Sequence, residues 1–255
     1  LGKILHLAIG MESLNLILNK ILLMKNIITK KLMCLMGCLL FGLGMSASLM
    51  AQEAGKIMRV TGKATVISAS NQSKEAAKDD VINTGDTITS SKESQVLIRM
   101  KDNSSLLVRA DSKIKIAAFQ FENKPTDNAK TTVIAGTLRA VSGSIGKGQP
   151  DNVKYEAGTA TIGIRGTDIE VAIVEEGAKD RAGIYNYVYD GETVMALNTG
   201  EKANIEKELT GFTPAKLLPG EPRLQILRDR PAFLQIGGFD ALINQLTAPR
   251  IPMMR

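Results

Sequence analysis

The sequence predicts an all-β fold, a sandwich or solenoid-like β-structure of many short strands, with a short C-terminal amphipathic helix. Three observations carry this expectation. Beyond Gly55, short runs alternate apolar and polar residues at period two, the repeat of a strand with one buried face. Glycine, asparagine and aspartate break those runs at close intervals, where turns need them. The 3.6-residue period of an amphipathic helix is absent over most of the same span. No fixed repeat length separates a sandwich from a solenoid, so both architectures fit.

The first segments read as an address rather than as part of the fold. Residues 1–23 lack a methionine at position 1 and add a second apolar stretch, so they are taken as an upstream extension and translation is expected from Met24. Residues 24–51 have the order of a secretory signal peptide: Lys25, Lys30 and Lys31, then an apolar or small stretch over 32–45, then small residues up to Ala51. Cleavage is expected between Ala51 and Gln52, with Ala47 and Ser48 as alternative sites. The apolar stretch falls short of the roughly 20 residues of a spanning helix, which favours cleavage over a retained anchor.

Residues 52–210 carry the strands, expected at 56–60, 63–69, 86–89, 95–100, 105–109, 113–119, 132–141, 153–157, 167–174, 184–189 and 193–198. The breakers between them include Thr61-Gly62, Thr84-Gly85-Asp86, Asp102-Asn103, the glycine-rich 143–148 and Asp190-Gly191. Asp190-Gly191 reads as a two-residue hairpin turn, since both residue types tolerate positive φ. Tyr185, Tyr187 and Tyr189 then line one face of the first hairpin strand, with Ile184 and Val188 on the other. Residues 211–255 change character. Pro214, Pro219 and Pro222 suit an extended connection over 211–223, and Phe239, Leu242, Ile243 and Leu246 then fall on one face of a short helix. That helix is expected to cover the β-core, with docking on a partner as its other use.

Composition restricts the chemistry. The formal charge of +6 is concentrated at the N-terminus, where five lysines and one glutamate precede Ala51. The rest is nearly neutral with interspersed charges, so no basic stripe for nucleic acid remains. Cys34, Cys38 and His6 also precede Ala51, and 52–255 contains neither residue type. An exported body therefore has no imidazole base for a Ser-His-Asp or Cys-His site, no His or Cys ligand for zinc, copper or haem, and no disulfide. No cofactor and no metal site are expected.

The remaining motifs are weak. Ser144 and Lys147 in the 143–148 segment imitate a phosphate loop or a serine-lysine catalytic pair, but Gly148, Gln149 and Pro150 follow and no K-[ST]-G occurs. A flexible loop between strands is the better reading. Asp79, Asp80, Asp86, Asp102, Asp111 and Glu122 could supply two carboxylates for glycan hydrolysis, yet most sit where turns are expected. The most distinctive segment is Gly163-Ile164-Arg165-Gly166-Thr167-Asp168, in which two glycines flank an arginine between apolar runs. A buried arginine fixing a bend is favoured there, and a ligand or partner contact is the alternative.

That segment also carries a family resemblance. Residues 160–171, ATIGIRGTDIEV, resemble the G-x-R-G-T-x-F-x-V signature of FecR domains. Thr84 to Thr89 is similar to that family's G-D-x-I-x-T strand, Met100 to Leu106 to its D-G-S-x-L hairpin, and Ala135 to Arg139 to its G-x-L-R strand. Tyr189 to Val194 and Asn198 to Glu201 resemble its closing strands. Asn103 stands for the usual glycine and Ile169 for the usual phenylalanine; asparagine also accepts positive φ.

The family's namesake is a transmembrane relay with a cytoplasmic anti-sigma region and a periplasmic part that senses an iron-loaded receptor. Residues before the apolar segment do not read as such a region. The resemblance therefore implies an exported, non-enzymatic binding or scaffold module of a Gram-negative cell envelope, periplasmic or secreted, whose partner is an envelope protein or glycan. A membrane-anchored sensory component of FecR-type signalling is the alternative, with membrane contact only if the N-terminal segment is retained; a carboxylate glycan hydrolase is a third reading. The residues expected to serve structure or a partner are Gly163, Arg165, Gly166, Thr167 and Asp168, the three tyrosines, and Phe239, Leu242, Ile243 and Leu246.

Overall fold

Period-two burial organises the chain into strands that enclose one core. A computed structural model describes residues 52–235, together with Met24 and Lys25. The strands are β1 (Glu53–Thr61), β2 (Ala64–Ile67), β3 (Ser73–Glu75), β4 (Val81–Asn83), β5 (Thr87–Ser90), β6 (Gln95–Met100), β7 (Ser105–Val108), β8 (Lys113–Gln120) and β9 (Asn128–Val141). After a short helix α1 (Ser144–Gly148) follow β10 (Val153–Ala157), β11 (Ala160–Val174), β12 (Gly183–Leu197), β13 (Lys202–Glu206), β14 (Thr210–Pro214) and β15 (Gln225–Leu227).

The pairing resolves into two layers. In the first, β15, β14, the first half of β12, the second halves of β11 and β9, β7, β6, β1 and β4 lie side by side. In the second, β13, the second half of β12, the first half of β11, β10, the first half of β9, β8, β5, β2 and β3 do the same. Thus β9, β11 and β12 each run through both layers. Each also changes the parity of its buried residues where it crosses: Val133 gives way to Leu138, Ile164 to Ile169, and Val188 to Met195. The crossing is a fold-over rather than a gentle curve. Asn186 and Thr193, seven residues apart on β12, are joined by a side-chain hydrogen bond of 2.6 Å, whereas a straight strand would separate them by about 23 Å.

The all-β expectation holds, and the chain builds a sandwich. Its core includes Ile57, Ile88, Ile98, Ile114, Leu138, Ile162, Ile169 and Met195, all fully buried. Each such side chain contributes about 1.5–3 kcal/mol through the water it no longer contacts.

Four local expectations are corrected. Asp190-Gly191 is no hairpin turn; it lies inside β12 opposite the bend of β11, and only Gly191 takes positive φ, at 77°. A Cβ there would sit 2.7 Å from the Gly166 carbonyl oxygen, so the residue serves a close backbone crossing. The glycine-rich 143–148 segment is not a flexible loop: its Ser144–Gly148 part forms α1, because Ile145 reaches the core and the Ser144 amide donates to the Asp102 carbonyl at 2.7 Å. The connection expected from 211 starts later, since β14 is wholly buried and pairs with β12 from Gly183 to Tyr187. Pro214 is tolerated as its last residue, where a missing amide donor interrupts no ladder. Finally, β3, β4 and β15 were not expected; at three residues each, they are too short to show alternation. The expected helix with Phe239, Leu242, Ile243 and Leu246 lies outside the described residues.

Candidate functional site

The outer face of the first layer carries an unusual load of buried charge. Strand alternation puts Ile169 and Val171 into the core, so Glu170 between them must face outward, and it does so fully buried. The same geometry, with Leu138 and Ala140 inward, turns Arg139 outward, also buried. In register across the layer, Tyr187, Glu170, Arg139, Leu107 and Leu97 form one row.

The charges in that row are closed onto one another. Arg109, whose amide continues the ladder past β7 to the Thr137 carbonyl at 3.0 Å, donates through Nε to Glu170 Oε1. The Tyr189 hydroxyl donates to Glu170 Oε2 at 2.6 Å. Arg139 grips Asp168 side-on through one guanidinium edge, Nε to Oδ1 at 2.9 Å and Nη2 to Oδ2 at 2.8 Å. Its guanidinium also lies 3.9 Å from the centre of the Tyr189 ring, a cation–π contact. Burial pushes the Tyr189 phenol well above its usual range, and the Glu170 charge and hydrogen bond push it further. Burial opposes the charge of Arg139, but the hydrogen bond and charge of Asp168 outweigh it and raise its pKa.

A strap formed by residues 215–235 crosses beside this network. Phe233 meets Tyr185 edge-on at 5.1 Å, and Tyr185 is 4.4 Å from Phe212. Buried Leu234 packs into the same cluster, and its carbonyl lies 3.4 Å from the Tyr189 hydroxyl. The Arg230 guanidinium is 5.2 Å from the Tyr189 ring and 5.6 Å from Tyr187. The Thr210 hydroxyl donates to the Asp229 carbonyl at 3.1 Å. Farther back, Glu221 accepts from Arg181, the Leu218 amide and Gln225. These bonds, led by the one from Arg181, pull its carboxyl down to about 2.

The expected site residues divide. Tyr185, Tyr187, Tyr189 and Asp168 come together in this cluster. Thr167 is buried at the bend, where its amide donates to Ser142 Oγ at 2.9 Å and the Ser142 hydroxyl returns a bond to its carbonyl. Arg165 is the correction: its side chain is 63 % exposed and bridges Glu192 at 3.0 Å, since it sits at the outer corner of the bend. Gly166 provides that corner through a φ of 59°. Gly163 has neither positive φ nor a crowding neighbour.

Among the described residues the buried arginines are Arg109 and Arg139, and the sequence reading missed them along with Glu170 and Arg230. The available signal was a charge in the middle of an apolar strand run, as in Leu138-Arg139-Ala140 and Ile169-Glu170-Val171. The turn carboxylates serve local backbone instead. Asp86 accepts from the Asn83 amide, Asp102 from the Ser104 amide and hydroxyl, and Asp80 from the Ala77 amide. A groove of about 350 Å³ opens at the far end of the layers, between Thr159, Ile184, Asn198, Thr213 and Arg223, and holds no pair of carboxylates.

Residues 86–192 match the family described as FecR protein. That span contains Arg109, Arg139, Asp168, Glu170 and the three tyrosines, whereas the strap lies beyond it. No curated protein matches the chain. Two crystal structures of a candidate anti-sigma factor from Parabacteroides distasonis are similar, with TM-scores of 0.44 and 0.42 and identities of 9% and 8%. In both cases 56% of this chain and 59% of that chain are covered, so this chain spans less than two thirds of their length. A structure described as a cell surface anchoring domain is 25% identical over 25% of this chain and 84% of its own, with a TM-score of 0.25.

Proposed function

With a FecR-family domain over residues 86–192 as the premise, we propose that this chain is an exported regulatory module of the bacterial cell envelope that works by binding an envelope partner and not by catalysis. The family match carries this reading. Two features support it. The region from Gln52 onward has no His or Cys, and the buried carboxylates of the outer face are already satisfied by Arg109, Tyr189 and Arg139. A carboxylate so engaged is a poor proton shuttle, because moving its proton breaks the bonds that hold it. Such a network instead fixes the shape of a surface.

Export is part of the proposal, resting on the basic-apolar-small order of residues 24–51. The test is fractionation of cells expressing the full chain, with mass spectrometry of the mature N-terminus and cross-linking in the envelope fraction. The expected result is a form outside the cytoplasm that begins near Gln52 and cross-links reproducibly to one envelope component. An uncleaved chain in the cytoplasm overturns the proposal. An uncleaved chain that resists carbonate washing overturns cleavage and favours an anchored sensory component in its place.

A further inference from the structure

We propose that the strap of residues 215–235 is a stand-in for the partner: an extended protein segment carrying a cation ahead of an apolar pair displaces it and takes its place along β14. This deepens the binding role proposed above and rests on it. Beneath the strap lies a seat of unusual composition for a sheet face. Ala172, Tyr185, Tyr187 and Phe212 are buried there, and Leu227, Phe233 and Leu234 of the strap are what packs on them. Beside them Glu170, Arg109 and Arg139 are fixed around Tyr189. Tyrosine and arginine held rigid in this way are the residues around which tight interfaces form.

The strap itself is lightly held. Between 215 and 234 only Leu234 is buried. Its backbone joins the sheet through three pairs, Thr210 with Leu227, Gly211 with Ile226 and Phe212 with Gln225. Its ion pairs with the rest of the domain, Arg181 with Glu221 and Arg223 with Glu201, have arginines 41% and 55% exposed, where solvent screens them. Ile226 and Leu218 remain 48% and 61% exposed, so the fit leaves apolar surface in water. Segments tied down by so few buried contacts open without the rest of the fold.

Opening bares a strand edge. β14 pairs with β12 along five residues on one side, and the strap covers its other side. A strand added there gains main-chain bonds whatever its sequence, while the side-chain seats set the choice. The strap shows what those seats accept. Its guanidinium at Arg230 lies 5.6 and 5.2 Å from the Tyr187 and Tyr189 rings, Phe233 meets Tyr185 edge-on at 5.1 Å, and Leu234 fills the buried position. The matching partner segment therefore carries a basic residue three and four positions ahead of an aromatic and an aliphatic one. That chemistry selects a protein over a glycan. The strap also sets a threshold, because a partner's apparent affinity falls with the fraction of chains whose seat is open.

The test uses the full chain and a labelled peptide of residues 225–235, QILRDRPAFLQ, read by fluorescence anisotropy. Phe233→Ser with Leu234→Ser removes the strap's anchors and leaves the seat intact; an unchanged circular dichroism spectrum establishes that the variant is folded. The peptide should bind this variant about tenfold or more tighter than the wild-type chain, and a peptide with Arg230→Glu and Phe233→Ser should not bind. No binding to the folded variant, or equal binding to variant and wild type, overturns the proposal. Hydrogen exchange on the wild-type chain needs no substitution. Relative to intrinsic rates, the amides of residues 225–227 and 234 should exchange about a hundredfold or more faster than those of Tyr185 and Tyr187 on β12. Equal protection means that the strap leaves only on global unfolding, and refutes displacement. Neither measurement depends on where the chain resides. Their failure beside a mature form cross-linked in the envelope therefore strikes the strap's role and leaves the binding reading standing.

Discussion

Arg139 holds both carboxylate oxygens of Asp168, at 2.9 and 2.8 Å, while its guanidinium rests on Tyr189. One side chain therefore ties β9 to β11 and, through the ring, to β12. Loss of this arginine and loss of the exposed Arg165 should differ sharply. Arg139→Ala leaves a partly buried carboxylate unpaired and should cost about 3 kcal/mol in urea unfolding. Arg165→Ala removes a solvent-screened pair with Glu192 and should cost less than about 1 kcal/mol. Equal costs would contradict the assignment of the structural arginine to β9.

Glu170 is the centre of the buried network, and its removal takes a charged acceptor from both Arg109 and the Tyr189 hydroxyl. Glu170→Ala should destabilise by about 3–5 kcal/mol. Replacing Arg109 and Glu170 together with apolar residues should cost less than Glu170→Ala alone, because the buried guanidinium then goes with the carboxylate that balances its charge. A double-mutant cycle measures that coupling.

Gly166 and Gly191 at the two facing bends, and Gly163 in the regular part of β11, should rank by geometry. Gly163→Ala should be neutral or stabilising by up to about 1 kcal/mol. Gly166→Ala forces a side chain into the left-handed region at open space and should cost about 1–2 kcal/mol. Gly191→Ala adds a clash with the Gly166 carbonyl and should be the most damaging, at about 2–4 kcal/mol. Thermal unfolding of the three variants checks the order.

The all-β class was legible because burial on one face imposes period two, and within the segment from Gly163 to Asp168 the bend falls at Gly166. Its arginine was misplaced because sequence adjacency to a bend does not say which side of it a residue occupies. The Arg109–Glu170 pair joins residues 61 apart, and nothing local encodes such a partner. The continuity of β12 through Asp190-Gly191 was hidden for a related reason. Asp-Gly favours a hairpin locally, and only the facing bend of β11 makes a fold-over the better solution.

Acid should loosen the strap. The Glu221 carboxyl has a folded pKa of about 2 against an ordinary 4.5, depressed first by Arg181 and then by the Leu218 amide and Gln225. A depressed value means the stabilisation is present above about pH 4.5 and is lost as pH falls towards 2. Hydrogen exchange at the Leu218 amide should accelerate over that window, relative to its intrinsic rate. In Glu221→Gln this acid-dependent change should be absent.

Alkali probes the tyrosines. Burial raises the phenols of Tyr155, Tyr185 and Tyr189 above 10, so the folded chain should show delayed tyrosinate absorbance compared with the chain in urea. The sign is the reverse of the glutamate case: stability from these groups is present below pH 10 and is lost as pH rises through their folded values. Tyrosinate absorbance and circular dichroism should change together if unfolding, and not simple ionisation, releases them.

Because β9, β11 and β12 each serve both layers, neither layer owns a full set of hydrogen-bonded neighbours by itself. The second half of β12 with β13, which end the second layer, and β14 with β15, which end the first, all come late in the chain. Both layers are therefore completed only by strands from the last part of the described chain. A chain emerging N-terminus first, whether from a ribosome or through a membrane pore, has to wait for nearly its whole length before either half can close.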